Sequence, residues 1–321
     1  MTGDLRVSVV VELDNLFFSE ISRAKDMFSQ LKSQIGELLA AETSPHFLGP
    51  VEVIVLFDPG MLDRATGGQL VSETLGDANI ELALVDCKEE YFELKNAGAK
   101  HAKGDVVVFL DGDVIPEDGW LVNLLSTFND KNANVVCGQS YVEPYSAYAK
   151  AFALGWIFPI REEDSKVKVC PSFFANNVAF RKETCAEFPF PALEGSARGS
   201  CALLSKTLHE KEISIYQNNA ARVSHPPPNG LSHFVNRAIA HGRDEVFINR
   251  ACKMSSVWPL RSIRRTLSRL LSIVRNRRKV NLPVSNVPVA LSVMTGYYFL
   301  YHASQIMTYA VPGFMTKHFK L

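Results

Sequence analysis

Asp105 to Trp120 reads DVVVFLDGDVIPEDGW, and the rest of the chain is best approached from this stretch. Its first half is an unbroken apolar run of strand length. A strand without polar alternation is buried on both faces, as in parallel sheets. The run ends in Asp111-Gly112-Asp113. Two carboxylates across a glycine at a strand end make a compact anionic site for a hard divalent cation, which favours oxygen ligands. Gly112 lets the backbone turn sharply and admits a bulky ligand. Such triplets occur in loops by chance. Placement directly after a strand, with Pro116 and Trp120 behind it, sets this one apart.

Upstream, Val7 to Val11, Val51 to Phe57 and Ile80 to Val85 are further short β-rich runs. An amphipathic stretch from Phe17 to Leu39 and a helical one from Tyr91 to Lys103 lie between them. Apolar strands alternating with helices predict an α/β fold, with a mainly parallel central sheet flanked by helices. Such sheets bind ligands beyond the carboxyl ends of their strands. That rule selects Glu12 to Asn15, Asp58, Asp86 and Asp111 to Asp113. Downstream, Val135 to Val142 and Phe173 to Phe180 read as strands and Ala202 to Leu208 as part of a helix. Pro226, Pro227 and Pro228 mark a stiff loop.

With 321 residues, 47% hydrophobic and 21% charged, the chain is an ordinary globular sequence rather than a disordered one. Its zero formal charge conceals a segregation. From Ala251 to Leu321 there is no Asp or Glu, against eleven lysines and arginines. A polyanionic surface is the implied partner. Nucleic acid is not expected, because no aromatic-interleaved basic groove accompanies the charge. The six cysteines show no C-x-x-C pair and no regular spacing, which predicts free thiols in a reducing compartment. No signal peptide is visible, so a cytoplasmic location at a membrane face is expected.

The predicted organisation is a catalytic domain over residues 1–250 and a basic, apolar helical tail over 251–321. Leu260, Ile263, Leu267, Leu270, Leu271 and Val274 fall at helical spacing with the arginines largely on other faces. That is the pattern of a helix lying in a membrane interface. Val289 to Val311 is apolar and free of formal charge, long enough to span a bilayer. Its tyrosines, His302 and Gln305 favour a re-entrant or surface-lying helix pair equally, and a helical appendage packed on the catalytic domain is the third reading.

Several segments together resemble a known family. Leu94-Lys95-Asn96-Ala97-Gly98, Ala102-Lys103-Gly104-Asp105 and the strand with its DGDVIP ending look like the donor-site signature of family-2 glycosyltransferases with the GT-A fold. Val7 to Val11 is similar to that family's first strand and Glu52 to Asp58 to its second. Phe173 to Arg181, FFANNVAFR, is similar to its acceptor-side strand. The resemblance covers roughly residues 5–245. It implies that Asp111 and Asp113 hold Mg²⁺ or Mn²⁺ and a nucleotide-diphosphate sugar. Glu12, Asp58 and Lys95 become candidates for the nucleoside and its phosphates, against a solvated helix lysine for Lys95 and a local cap for Asn96. His225 stands where members place a late metal-site histidine, against a plain loop residue before the prolines.

One departure matters. Many inverting members open the helix beside the acceptor with a Gly-Glu-Asp triplet whose aspartate is the catalytic base. Here Gly199 is followed by Ser200 and Cys201, neither a general base at neutral pH. Glu194 is the nearest carboxylate and the substitute candidate, against an exposed loop acid; Arg198 is a candidate for an anionic group. The expected activity is metal-dependent, inverting sugar transfer to a sugar or lipid-linked acceptor. The alternative is a catalytically silent nucleotide-sugar-binding relative that scaffolds a membrane assembly. A nucleotidyltransferase is disfavoured, because Asn15 to Ser22 holds neither glycine nor a basic residue. Phe152, Trp156, Phe158, Phe173 and Phe174 are candidates to stack on an acceptor, with core packing the commoner use. Arg237, His241 and Arg243 are a candidate phosphate grip.

Overall fold

The structure is a computed structural model, which describes residues 5–13, 21–41, 47–58, 64–87, 89, 91–193, 199–253 and 258–319. The chain divides into two compact units, the first formed by residues 1–140, 162–192 and 204–224, the second by 141–161, 193–203 and 225–321.

The elements begin with β1 (Leu5–Glu12), α1 (Ile21–Ala40), β2 (Phe47–Phe57), α2 (Arg64–Leu75), β3 (Ile80–Asp86) and α3 (Tyr91–His101). They continue with β4 (Val106–Asp111), β5 (Ile115–Pro116), α4 (Trp120–Asp130), β6 (Val135–Val142), α5 (Ala147–Gly155) and β7 (Val167–Val169). Then come β8 (Asn177–Arg181), α6 (Lys182–Glu187), α7 (Ser200–Glu210) and β9 (Ile215–His225). Four helices follow: α8 (Gly230–Ala251), α9 (Trp258–Arg275), α10 (Val287–Ala310) and α11 (Pro312–His318).

The sheet runs in the order β3-β2-β1-β4-β8-β6-β9-β5, with β7 paired to β9. Its first half is parallel: β2 and β4 flank β1, and β3 lies outside β2. The helices α1, α2 and α3 supply the crossovers that parallel neighbours require. The later strands join antiparallel, β8 to β4 and β6, and β5 and β7 to β9. The parallel arrangement therefore belongs to the first half of the chain, and the antiparallel pairs to the second. Phe173 to Asn176, read as part of a strand, precedes β8 rather than entering it.

Val7, Val9, Val10 and Val11 are fully buried, as the continuous apolar run requires. Ser8, in their midst, donates to Glu52 at 2.5 Å and accepts from the Gly104 amide at 2.8 Å, so no polar group is stranded. Gly98 sets the depth of α3 on the sheet. A Cβ there would lie 2.3 Å from Val10 Cγ1 and 2.8 Å from Leu56 Cδ1. Only glycine lets the helix approach so closely.

In the second unit α10 packs against α8, α5 and α9. Its core holds Phe152, Trp156, Phe158, Ile273, Tyr297 and Tyr301. Gly242 brings α8 against α10, since a Cβ there would lie 2.1 Å from the Tyr301 carbonyl. The expected boundary at residue 250 does not coincide with these units, because α10 shares one core with α5 and α8. Among the described residues no helix is long and apolar enough to cross a membrane. That overturns the spanning reading of Val289 to Val311. Tyr297, Tyr301 and Gln305 are buried on α10 and bonded within the protein, where a spanning helix would present apolar groups to lipid.

Candidate active site

The strand order fixes where a ligand belongs. From β1 the chain winds outward through β2 to β3, then returns to lay β4 on the other side of β1. The order reverses between β1 and β4, and a crevice opens beyond the carboxyl ends of strands at such a switch point. There Glu12 is the register partner of Asp111. Both side chains are buried, as is Asp113.

Asp111 is held from below by α3. Lys95 Nζ lies 2.6 Å from its Oδ1, and Tyr91 Oη donates at 2.9 and 2.8 Å to Oδ1 and Oδ2. Tyr91, Lys95 and Gly98 follow at four- and three-residue steps, so they share one helical face. The glycine that lets the helix touch β1 also brings the lysine and tyrosine to the end of β4. The Lys95 side chain is fully buried. The solvated-lysine reading is thereby overturned, since a lone ammonium cannot remain buried without its counter-charge.

Gly112 and Asp113 carry the chain across the top. The Gly112 amide donates to the Glu12 carbonyl at 3.0 Å. A Cβ on Gly112 would lie 2.7 Å from Leu13 Cδ2 and 2.9 Å from that same carbonyl. Arg23 on α1 donates to the Asp113 carbonyl at 2.5 Å and to the Ser224 carbonyl at 3.1 Å. It ties the turn to β9, where Ile115 pairs with Ser224. Trp120 is fully buried, and its indole N–H donates to Asn177 Oδ1 at 2.9 Å. Asn177 in turn donates to the Ala221 carbonyl at 3.0 Å. The DGDVIPEDGW and FFANNVAFR segments are thus joined by side chains as well as by the β4–β8 pairing.

Asp58 follows the last residue of β2, one strand further out than Glu12. Asn96 exchanges two hydrogen bonds with Phe190, donating at 2.8 Å and accepting at 2.9 Å, which fastens that segment to α3. Glu194, Arg198 and Asn15 lie outside the described residues. Ser200 and Cys201 open α7, where the acidic pair was expected.

His225 belongs to the second unit, buried against Trp156 and Phe158 with ring centroids 5.6 and 4.8 Å away. Its Nδ1 lies 2.6 Å from the Pro226 carbonyl. A carbonyl only accepts, so Nδ1 carries a proton in this bond. Arg237 lies over the Trp156 ring at 5.6 Å. Arg243 is buried and paired with Asp244 at 2.7 Å, and it also donates to the Phe319 carbonyl. Arg243 is therefore spent inside the protein and is not part of a phosphate grip. Phe152, Trp156, Phe158 and Phe173 are core residues, whereas Phe174 is partly exposed.

Tyr91, Arg23 and Phe190 escaped sequence reading. Tyr91 carried a signal, since it stands one helical turn before Lys95. Arg23 carried none, because its partners are main-chain carbonyls far away in sequence.

Residues 79–188 match the model of Glycosyl transferase family 2. Human polypeptide N-acetylgalactosaminyltransferase 12 is 29% identical over 132 residues, 41% of this chain and 20% of that protein. The chain thus spans about a fifth of that relative. The mannosyltransferase PcManGT of Pyrobaculum calidifontis, solved with GDP-Man and Mn²⁺, superposes with a TM-score of 0.57 at 13% identity, covering 94% of this chain and 87% of that one. S. aureus TarS 1–349, solved with UDP-GlcNAc, gives a TM-score of 0.50 at 11% identity, covering 95% and 92%. The fold is the one these GT-A glycosyltransferase structures share. The sequence match to family 2 lies in the central third of the chain.

Proposed function

We propose that the protein transfers a sugar from a nucleotide-diphosphate donor to an acceptor hydroxyl, with inversion at the anomeric carbon. The observation that carries this reading is the Glu12–Asp111 register pair at the sheet's switch point, with Asp113 directly beyond it. Lys95 and Tyr91 keep Asp111 oriented and largely neutralised, which suits it to accept hydrogen bonds from donor hydroxyls. Asp113, across Gly112, completes the pair of carboxylates that a cation would meet.

Among the described residues no three His, Cys, Asp or Glu side chains cluster to hold a metal by themselves. Mg²⁺ is ordinarily held by one or two carboxylates plus substrate phosphates, so an all-oxygen pair of aspartates fits a site that the donor completes. When bound, Mg²⁺ or Mn²⁺ would neutralise charge on the departing diphosphate. His225, through Nε2, is a further candidate ligand. Glu12 and Asp58, at the ends of neighbouring strands, would meet the nucleoside. Glu194 would take the proton from the acceptor hydroxyl as that oxygen bonds to the anomeric carbon and the bond to the diphosphate breaks. The acceptor is a sugar or a lipid-linked sugar, and residues 251–321 rest on the cytoplasmic face of a membrane.

A second reading is favoured by Ser200 and Cys201: a silent relative that binds a nucleotide sugar without turnover. One experiment addresses both. The melting temperature is measured with a panel of nucleotide sugars in Mn²⁺ and in chelator, and release of free nucleotide is followed in parallel. Metal-dependent stabilisation with release supports the transferase. Stabilisation without release under any acceptor supports the silent relative, and neither effect with any donor overturns both.

A further inference from the structure

We infer that the outward faces of α9 and α10 form a single platform that docks on an anionic phospholipid surface without crossing it. The inference rests on the proposed membrane contact of residues 251–321, and it names the faces and the lipid chemistry. Helix α9 turns most of its apolar residues away from the protein. Its protein-facing side is bonded through polar groups: Ser262 to the Tyr301 hydroxyl at 3.0 Å, Thr266 to His302 at 3.0 Å, and Arg269 to the Tyr298 hydroxyl at 3.1 Å. Ile273 and Leu270 also turn inward, to the core of the second unit, but the remaining described apolar residues face outward. Leu260 is 69% exposed, and Ile263, Leu267, Leu271 and Val274 continue the same stripe at helical spacing. A helix stabilised only by its own protein would turn that stripe inward.

Helix α10 repeats the anomaly. It contains no Asp, Glu, Lys or Arg from Val287 to Ala310, yet Phe299 is 73% and Ile306 70% exposed. Val289 and Met307 share that outward side, and Phe314 of α11 is exposed beyond it. Its opposite side is fixed in the core of the second unit, so the helix can lie in an interface but cannot span. An exposed apolar surface of this extent marks a docking site rather than a solvated face.

Charge selects the occupant. Arg264 and Arg275 flank the α9 stripe, and Arg277, Arg278 and Lys279 fill the turn that follows it. No carboxylate lies anywhere from Ala251 onward. A second copy docked on this face would set arginine rows against each other with no acid in the segment to answer them. Anionic headgroups answer them directly.

The test is sedimentation of the full chain with vesicles of phosphatidylcholine alone or with phosphatidylglycerol. Binding to the anionic vesicles, weakened by salt, is expected. Leu267→Asp with Leu271→Asp should reduce it roughly tenfold or more, and Arg264→Glu with Arg275→Glu by a similar factor. All four side chains point outward, so unchanged melting temperatures verify folding. Anionic binding that survives both pairs but is lost in Arg277→Glu with Arg278→Glu overturns the platform and leaves the membrane contact standing. No binding of the unaltered chain to any vesicle overturns both. Loss of a dimer in Leu267→Asp without vesicle binding shows a self-association surface, which also overturns the proposal.

Discussion

The Lys95 ammonium lies 2.6 Å from Oδ1 of Asp111, and both side chains are sealed from solvent. Asp111 already has its counter-charge, supplied by the helix beneath it, whereas Asp113 stands on the far side of the glycine. A buried pair of this kind is costly to break by halves, because the survivor keeps its charge without compensation.

Lys95→Met should therefore destabilise the protein by about 3–5 kcal/mol in urea denaturation. Adding Asp111→Leu should recover much of that loss, since the paired apolar replacement leaves no orphan charge. A double variant no more stable than the single one would mean that Lys95 contributes through packing alone.

Asp113 and Asp111 should separate in function. Asp113→Ala is expected to lower turnover by about a hundredfold or more and to abolish Mn²⁺-dependent stabilisation by the donor. Asp111→Asn keeps Tyr91 as a partner but strands the lysine, so its first symptom should be lost stability. Equal effects of the two variants on metal response, with equal melting temperatures, would contradict this division.

Gly98→Ala tests the positioning of α3. The added methyl would meet Val10 and Leu56, in a packed core that cannot yield freely. A loss of about 1–3 kcal/mol is expected, with turnover falling as well, because moving α3 carries Tyr91 and Lys95 away from Asp111. Ala99→Gly, on the same helix, should lose stability through chain entropy without a comparable loss of turnover.

The parallel half of the fold was legible because a strand buried on both faces must be written in continuous apolar residues, as Val7 to Val11 and Val106 to Leu110 are. The rule that ligands sit beyond strand ends then singled out Glu12 and Asp111 before their pairing was visible. What remained hidden was long-range. The bonds from Arg23 to the carbonyls of Asp113 and Ser224 join residues ninety or more positions apart and leave no local pattern. The tail was read correctly as amphipathic, but periodicity reports two faces and not which one the protein covers. On α9 the protein covers Ser262, Thr266 and Ile273 and leaves the stripe from Leu260 to Val274 outward. For the same reason, truncation at Ala251 is a poor test of membrane contact, because it removes Tyr297 and Tyr301 from the core of the second unit.

Cys87 offers a reporter beside Asp58, the residue proposed to meet the nucleoside. It directly follows β3, and its amide donates to the Phe57 carbonyl at 3.1 Å, one residue before Asp58. Burial and the Glu89 and Asp58 carboxylates push its thiol above the usual range. The thiolate is the nucleophile, so a raised pKa leaves less of it at pH about 8, and alkylation should be slower than for a free cysteine. Asp58→Asn removes one repelling carboxylate and should speed the reaction. Cys185, whose thiol burial pushes up to about 12, should stay silent until the chain is unfolded, which controls for global opening. If Asp58 meets the nucleoside, donor bound with Mn²⁺ should shield Cys87 in the native protein and leave its rate in Asp58→Asn little changed. Mass spectrometry of the alkylated peptides reads all three effects, and a Cys87 rate indifferent to both Asp58 and donor would remove Asp58 from the site.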